Sequence, residues 1–330
     1  LRANADSLNE VAVGTRESYL VEKRTFGKTG LQVSVLGFGG APIGFLETEQ
    51  AEVGRILNLM LDRGVNLIDT AAMYQGSEEL IGAAVGHRRS EYVLVSKCGQ
   101  SYPDLPGAAW SEAVILATVD RALKRLRTDH LDVMLLHSCG LETLQNGEAL
   151  GALVKARDAG KIRFAGYSGD NAEAVFACGL EEVAVLQTSI NLTDQANIKA
   201  ALPAAIAANV GVMVKRPIAN AAWKALETQR GIYSNYARTY TERFQAMGLN
   251  PADLGFEGDP ARVWPEIALR FTLSQPGVTT AIVGSTNPAN VEANIEAAAR
   301  GPLDAEALNA IRNAFSRAEA ASGEIWTGQT

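Results

Sequence analysis

Histidine is scarce: the 330 residues hold only His87, His130 and His137, and no HxH or HxxxH spacing occurs. A site that gathers several imidazoles around an ion is therefore not expected, and no metal is assigned. Cysteine is scarcer in use than in number. Cys98, Cys139 and Cys178 are odd in count, far apart, and lie in or just after apolar runs, which suits reduced thiols better than a disulfide framework. No apolar run approaches the roughly 18 residues of a membrane span, and residues 1–20 lack the apolar centre of a signal peptide. No basic block stands against the net charge of −7, so there is no electrostatic footprint for nucleic acid or an anionic membrane. A Gly-x-Gly-x-x-Gly fingerprint opening a strand–helix unit is also missing, and Gly27-Lys28-Thr29 lacks the upstream glycine of a phosphate loop. The expected location is the cytoplasm.

What is present is apolar and periodic. At 47% hydrophobic residues the chain can bury a large core. Short β-prone runs recur at Val35 to Phe38, Val65 to Ile68, Tyr92 to Ser96, Leu131 to Leu136, Arg163 to Gly166, Val183 to Gln187, Val210 to Val214 and Thr279 to Val283. Between them lie stretches at helical spacing, near 50–63, 77–87, 111–127, 147–159, 171–178, 195–208, 262–275 and 288–299. Strict alternation implies a parallel sheet, and eight units in this length fit a closed barrel better than an open sheet. The fold class expected is α/β: a single (β/α)8 barrel. A hairpin around Gly27 to Gly30 precedes it and an extra helix near 305–319 follows. Residues 1–22 read as a polar extension and 23–330 as one domain. The segment from Pro217 to Asp259, with Trp223, Tyr233, Tyr236, Tyr240 and Phe244, reads as a lid or clamp, because long loops at the C-terminal edge of a barrel seldom idle.

Titratable residues stand where the strands end. Asp69 closes the strand Val65 to Ile68, and Tyr74 follows just before the helix announced by Ser77. Lys97 closes the next strand and His137 the one after. Singly, Asp69 is equally a helix cap, Lys97 a surface ion pair and His137 a satisfied barrel histidine. In a barrel, however, these ends converge on one mouth, and four such residues at consecutive junctions are not a packing pattern. A tyrosine with a solution pKa of about 10 is a poor acid or base at neutral pH. An ammonium within about 4 to 6 Å stabilises its phenolate, with Asp69 to anchor the lysine and His137 to orient a carbonyl oxygen. Such a group protonates an oxygen at a carbon exchanging hydride with a cofactor.

The run Gly64-x4-Asp69-Thr70-Ala71-x2-Tyr74-x2-Ser77-Glu78-x3-Gly82, with Lys97 and His137 ending the next two strands, closely resembles the aldo-keto reductases. The likeness runs from about Arg24 to Ala299 and includes the hairpin, which in that family plugs the bottom of the barrel. The resemblance implies an NAD(P)-dependent oxidoreductase interconverting a carbonyl (aldehyde, ketone or sugar) and an alcohol. It also implies a catalytic tetrad of Asp69, Tyr74, Lys97 and His137, with Tyr74 as general acid in reduction and general base in oxidation. Gly284-Ser285-Thr286-Asn287-Pro288, with Asn290 and Asn294, looks like the family's dinucleotide site. There Asn287 as N-cap and Pro288 at the first helical position start a helix whose free N–H groups can hold a phosphate. Gln187 matches the family's carboxamide-binding glutamine, and Ser168 the serine of its Ser-Asn pair, whose asparagine is replaced by Gly169, with Asp170 or Asn171 as substitutes. Lys215, Arg216 and Pro217 stand where relatives often stack an aromatic, and Arg216 can instead reach the pyrophosphate. Gly40 lets backbone approach the cofactor, and Asp69 completes the cofactor set. The cofactor expected is NADP(H) or NAD(H), leaning to NAD(H) because Gly284, Thr286 and Asn290 offer no cation to a 2′-phosphate.

For the substrate, the candidates are Tyr102 and Trp110 after Lys97 and Ser138 and Cys139 after His137, with Trp223 or Trp326 as additional candidates. Pro42-Ile43 stands where relatives place an aromatic wall, so the mouth is expected to be more open there. A second function remains: a redox-sensing or scaffold subunit that keeps barrel and nucleotide with little turnover, as the related potassium-channel β-subunits do. A barrel lyase with Lys97 as Schiff-base nucleophile is the third.

Overall fold

The computed structural model describes the backbone of residues 21–225 and 233–330, and the side chains of these except 233–236. The chain enters through an antiparallel pair, β1 (Lys23–Thr25) and β2 (Gln32–Ser34). Eight parallel strands follow: β3 (Leu36–Gly39), β4 (Leu67–Asp69), β5 (Val93–Cys98), β6 (Leu131–His137), β7 (Ile162–Ser168), β8 (Val183–Ser189), β9 (Gly211–Lys215) and β10 (Val278–Val283). They pair in chain order, and β10 closes on β3. This is the expected (β/α)8 barrel with its hairpin, the strand ends moved by one or two residues. Val21 is already buried, and the carbonyl of Glu22 accepts from the Val35 amide at 2.9 Å.

The helices form for local reasons and bury one face each. Glu112–Leu126 shows the pattern: the Ser111 hydroxyl accepts from the Val114 amide, and Val114, Ile115, Val119, Ala122 and Leu126 fall on the buried face. Each of the Val, Ile and Leu side chains among them contributes about 1.5–3 kcal/mol when fully removed from water. Its C-cap, Arg127, takes the left-handed conformation at φ 55.

Period two along the strands fixes what faces the barrel axis. Leu67, Val95, Leu135, Val185, Met213 and Ile282 form one apolar cluster with Phe26 and Val33 of the hairpin. The hairpin therefore seals the N-terminal end, where an added Cβ on Gly211 would sit 2.4 Å from the Phe26 ring. Two residues further on, the same inward parity gives Asp69, Lys97, His137, Gln187, Lys215 and Gly284, joined by Ser168 of β7 and Gly39 of β3. A polar tier thus lies directly above an apolar one, at the C-terminal edge.

The expected lid is corrected in part. Pro217 to Asp259 is not loop throughout, since it carries helix Tyr233–Met247 and the turn Pro251–Leu254. Trp223 stacks on Trp264 at 6.2 Å and Phe244 meets Trp264 edge-on at 4.8 Å, in a second apolar cluster. Tyr240 is fully buried and donates to Asp194 Oδ2 at 3.0 Å. These aromatics pack. The side chains of Tyr233 and Tyr236 lie outside the described residues. The last helix, Ala305–Ser322, is followed by an irregular segment that returns to the mouth.

Candidate active site

Lys97 is fully buried, and its ammonium has three oxygens at 2.7 Å: both of the Asp69 carboxylate and the carbonyl of Thr70. Burial pushes the lysine pKa down, opposed by the Asp69 charge and its hydrogen bonds. Gln187 Nε2 donates to Asp69 Oδ1 at 3.0 Å, and Ser168 Oγ donates to Gln187 Oε1 at 2.9 Å. One chain of contacts therefore runs through the ends of β7, β8, β4 and β5.

Tyr74 reaches this group from the loop after β4. The loop is pinned at each turn: Ala72 N–H donates to the Lys97 carbonyl at 3.2 Å, Tyr74 N–H to Ala71, and Ser77 N–H to Tyr74. Ser77 opens the helix as expected but does not cap it, for the N-cap is Gly76 at φ 73. Its hydroxyl instead bridges Thr70 Oγ1 at 2.8 Å and the Gly40 carbonyl at 3.0 Å. The result places the Lys97 ammonium 5.0 Å from the Tyr74 ring centre. The His137 ring meets Tyr74 edge-on, centres 6.0 Å apart. His137 Nδ1 is buried without a hydrogen-bond partner. Burial, then the charges of Lys97, Lys215 and Arg216, hold this imidazole neutral, well below the usual histidine range. The four residues named from the sequence thus meet in one place. An ammonium beside a phenol, with a neutral imidazole at its edge, is an arrangement that moves a proton to or from an oxygen.

Several residues are placed otherwise than expected. Phe45 supplies an aromatic wall against Tyr74, with ring centres 5.4 Å apart. The helix Ala41–Phe45 turns the ring back, a hook that Pro42-Ile43 alone does not announce. Gly40 is closely packed by its own neighbours, where an added Cβ would lie 2.7 Å from the Asp69 carbonyl and 2.8 Å from Ser77 Oγ. Lys215 faces the tier but pairs with Asp170 at 2.9 Å. Asp170 is buried and also accepts from Thr188 Oγ1, the Ser189 amide and Asn197 Nδ2, while Asn171 bonds Gly328. Both are thereby hydrogen-bonded within the protein. Arg216 Nη1 donates to the Gln329 carbonyl, and the Pro217 carbonyl accepts from Thr272 Oγ1 at 3.2 Å.

On the far side, Gly39 and Gly284 put bare backbone at adjacent ends of β3 and β10, where an added Cβ on Gly284 would lie 2.5 Å from Pro42. Ser285 and Thr286 lead from there into helix Pro288–Ala299. Asn290 is exposed in its first turn and Asn294 is buried one turn on. Asn287 caps this helix as expected, but the amides said to be free are not. Asn287 Oδ1 takes the Ala289 amide at 2.9 Å and its carbonyl takes those of Asn290 and Val291. What the helix start retains for a phosphate is its dipole.

Of the substrate candidates, Ser138 follows His137 with φ 64, its amide tied to the Ser168 carbonyl. Trp110 lies flat over Gly99. Tyr102 turns under the Arg121 guanidinium, 4.1 Å from its ring centre, with its hydroxyl buried and without a hydrogen-bond partner. Cys98, Cys139 and Cys178 are free and buried, and burial pushes Cys139 up to about 12, so they are inert fillers. Among the described residues no helix is long and apolar enough to cross a membrane, and no group of three acidic, histidine or cysteine side chains could hold a metal ion.

With this geometry in hand, comparison with known proteins is specific. The sequence model of the Aldo/keto reductase family matches residues 35–315. L-galactose dehydrogenase of Arabidopsis thaliana is 26% identical over 315 residues, covering 91% of this chain and 94% of that protein. Among solved structures, the holo form of an aldo-keto reductase from Bacillus halodurans superposes with a TM-score of 0.74 at 26% identity, covering 89% of this chain and 96% of the other. An aldo-keto reductase from Klebsiella pneumoniae in complex with NADPH gives 0.70 at 26% identity, covering 90% and 95%.

Proposed function

This chain belongs to the aldo/keto reductase family, and from that premise we propose that it exchanges hydride between a nicotinamide dinucleotide and a small carbonyl or alcohol. In this reading Tyr74 is the proton donor in reduction and the acceptor in oxidation. The observation that carries it is the fully buried Lys97 ammonium, clamped by Asp69 and standing 5.0 Å from the Tyr74 ring. That charge stabilises a phenolate, which a tyrosine at its ordinary pKa of about 10 does not supply at neutral pH. His137, held neutral, keeps a nitrogen available to a substrate oxygen beside the phenol.

The dinucleotide supplies the hydride when bound. Ser168 and Gln187 would face its reactive end from the polar tier. Gly284, Ser285, Thr286, Asn290 and Asn294, in the stretch that leads into helix Pro288–Ala299, would take the distal phosphate at the helix dipole. The neutral stretch 284–290 argues for NAD(H), while the Klebsiella relative in complex with NADPH argues for the phosphorylated form. The plant relative, named an L-galactose dehydrogenase, makes sugars the first substrates to assay.

Titration of the protein with NADPH and NADH, followed by turnover on a panel of sugars and aldehydes, tests the reading. Turnover on at least one carbonyl is expected. Tight binding with no turnover on any of them would favour the scaffold reading instead. Asn290→Arg should shift the ratio of dissociation constants towards NADPH, and an unchanged ratio would count against the assignment of that stretch.

A further inference from the structure

The segment after the last helix is tied down by a dense set of contacts. Trp326 is buried against Phe315, ring centres 5.0 Å apart, with the Arg243 guanidinium 5.2 Å from its ring centre. The Thr327 carbonyl accepts from Arg243 Nη2 at 3.1 Å. Gly328 makes a reciprocal pair with the Asn171 carboxamide, its amide donating at 2.8 Å and its carbonyl accepting at 3.0 Å. The Gln329 amide donates to Asp194 Oδ2 at 3.0 Å, and its carbonyl accepts from Ser189 Oγ at 3.1 Å and from Arg216 Nη1. The Thr330 hydroxyl donates to Asp170 Oδ2 at 3.2 Å. The seat is cut for glycine: an added Cβ on Gly328 would lie 2.7 Å from Asn197 Nδ2 and 3.0 Å from the Asp170 Cβ.

The partners are what matter. Asp170 and Asn171 follow β7, Ser189 ends β8, and Arg216 follows β9. They are immediate neighbours of Ser168, Gln187 and Lys215, the inward-facing residues on the side of the polar tier away from Tyr74. Asp170 carries Lys215, and Gln187 carries Asp69. Anchoring the end of a chain on a core would need only Trp326. The polar contacts beyond it add almost no apolar burial, yet they tie the ends of three adjacent strands to one another, and preorganising a site in this way lowers the ordering cost of binding and reaction.

We propose that residues Trp326–Thr330 are a positioning strap for the β7–β9 side of the active site, acting through Asn171, Asp170, Ser189 and Arg216, and that the dinucleotide site is complete only with the strap seated. The functional part of this rests on the nicotinamide-dependent reading above.

The test undocks the strap without touching the tetrad. Asn171 already has φ 57, so Asn171→Gly keeps the backbone and deletes both bonds to Gly328; Gly328→Val wedges the same seat. Thr330→Val removes the hydroxyl that Thr330→Ser retains. Amide hydrogen exchange is read at residues 168–171, 187–197 and 211–217, and affinities by titration with NADPH and NADH. In Asn171→Gly and Gly328→Val, exchange at all three strand ends should quicken. The dissociation constant should rise about tenfold, as loss of two hydrogen bonds of ordinary strength implies. Thr330→Val should weaken binding and Thr330→Ser should restore it. Faster exchange confined to residues 323–330, with strand ends and affinity unchanged, would overturn the strap. Wild-type protein that bound neither dinucleotide would defeat the functional reading alone, because the exchange measurement still decides whether the strap orders the strand ends. Should Asn171→Gly fail to fold, the Thr330 pair, which alters only an exposed residue, decides by the same readouts.

Discussion

Replacing Lys97 by methionine removes one partner of a buried ion pair and leaves the other in place. The ammonium has three oxygens at 2.7 Å and no exposure to water. Asp69, itself 2% exposed, would keep only the Gln187 hydrogen bond at 3.0 Å. Leaving such a charge uncompensated costs about 3–5 kcal/mol, a large fraction of the stability of an ordinary domain. The variant can escape part of that cost by protonating Asp69, whose pKa burial already raises. A group with a raised folded-state pKa binds a proton more readily when folded, so the deficit of Lys97→Met should shrink as pH falls. Adding Asp69→Asn removes the stranded charge and should recover most of the lost stability, while activity stays down by about 10² to 10⁴ because the phenol still lacks its cation. Urea melts at pH 5 and pH 8 with single-turnover oxidation of NADPH or NADH separate the two effects. Two results would refute the reasoning: a Lys97→Met variant less than about 1 kcal/mol destabilised at pH 8, or a double variant that recovers activity along with stability.

Two further outcomes follow from the buried titratable groups. His137 is held neutral well below the usual histidine range, so kcat/KM for reduction should show no inflection of its own between about pH 6 and pH 8; an inflection there that vanishes in His137→Asn would show a protonated imidazole. Asp194 is pushed up from 3.8 to about 6, chiefly by burial. Its folded form therefore binds the proton more tightly, and the stability it contributes at low pH is lost as pH rises from about 4 through 6. Relative to Asp194→Asn, the wild type should lose up to about 3 kcal/mol across that window, and parallel stability profiles for the two proteins would contradict the assignment.

The barrel and the tetrad were readable in the chain because both are carried by local signals. Most strands are short apolar runs with a polar residue near their C-terminal end, and period two then sends Asp69, Lys97 and His137 to the same side as the apolar residues two positions before them. Ser168, Gln187 and Lys215 obey the same parity, so their place in the tier was also available from the pattern. Their partners were not: that Asp170 takes Lys215, or that Asn171 takes Gly328, depends on which loops meet over the mouth, and no periodicity reports that. Phe45 was missed for a related reason, since its approach to Tyr74 comes from a helix of five residues at Ala41–Phe45, too short to show amphipathic spacing. The aromatics Trp223, Tyr240 and Phe244 misled because an aromatic-rich stretch between elements reads alike whether it covers a ligand or builds a satellite core. The segment Trp326–Thr330 carries no element at all, and its contacts across the mouth are visible only in three dimensions.

The most direct measurement is the single-turnover rate of hydride transfer in Tyr74→Phe, taken with the affinity of the same variant for NADPH and NADH. Transfer should slow by at least about 10² while the dissociation constants stay within about threefold of wild type, because the missing hydroxyl gives a proton and holds no part of the dinucleotide. Transfer by the phenylalanine variant at a rate comparable to the wild type would contradict that role for Tyr74.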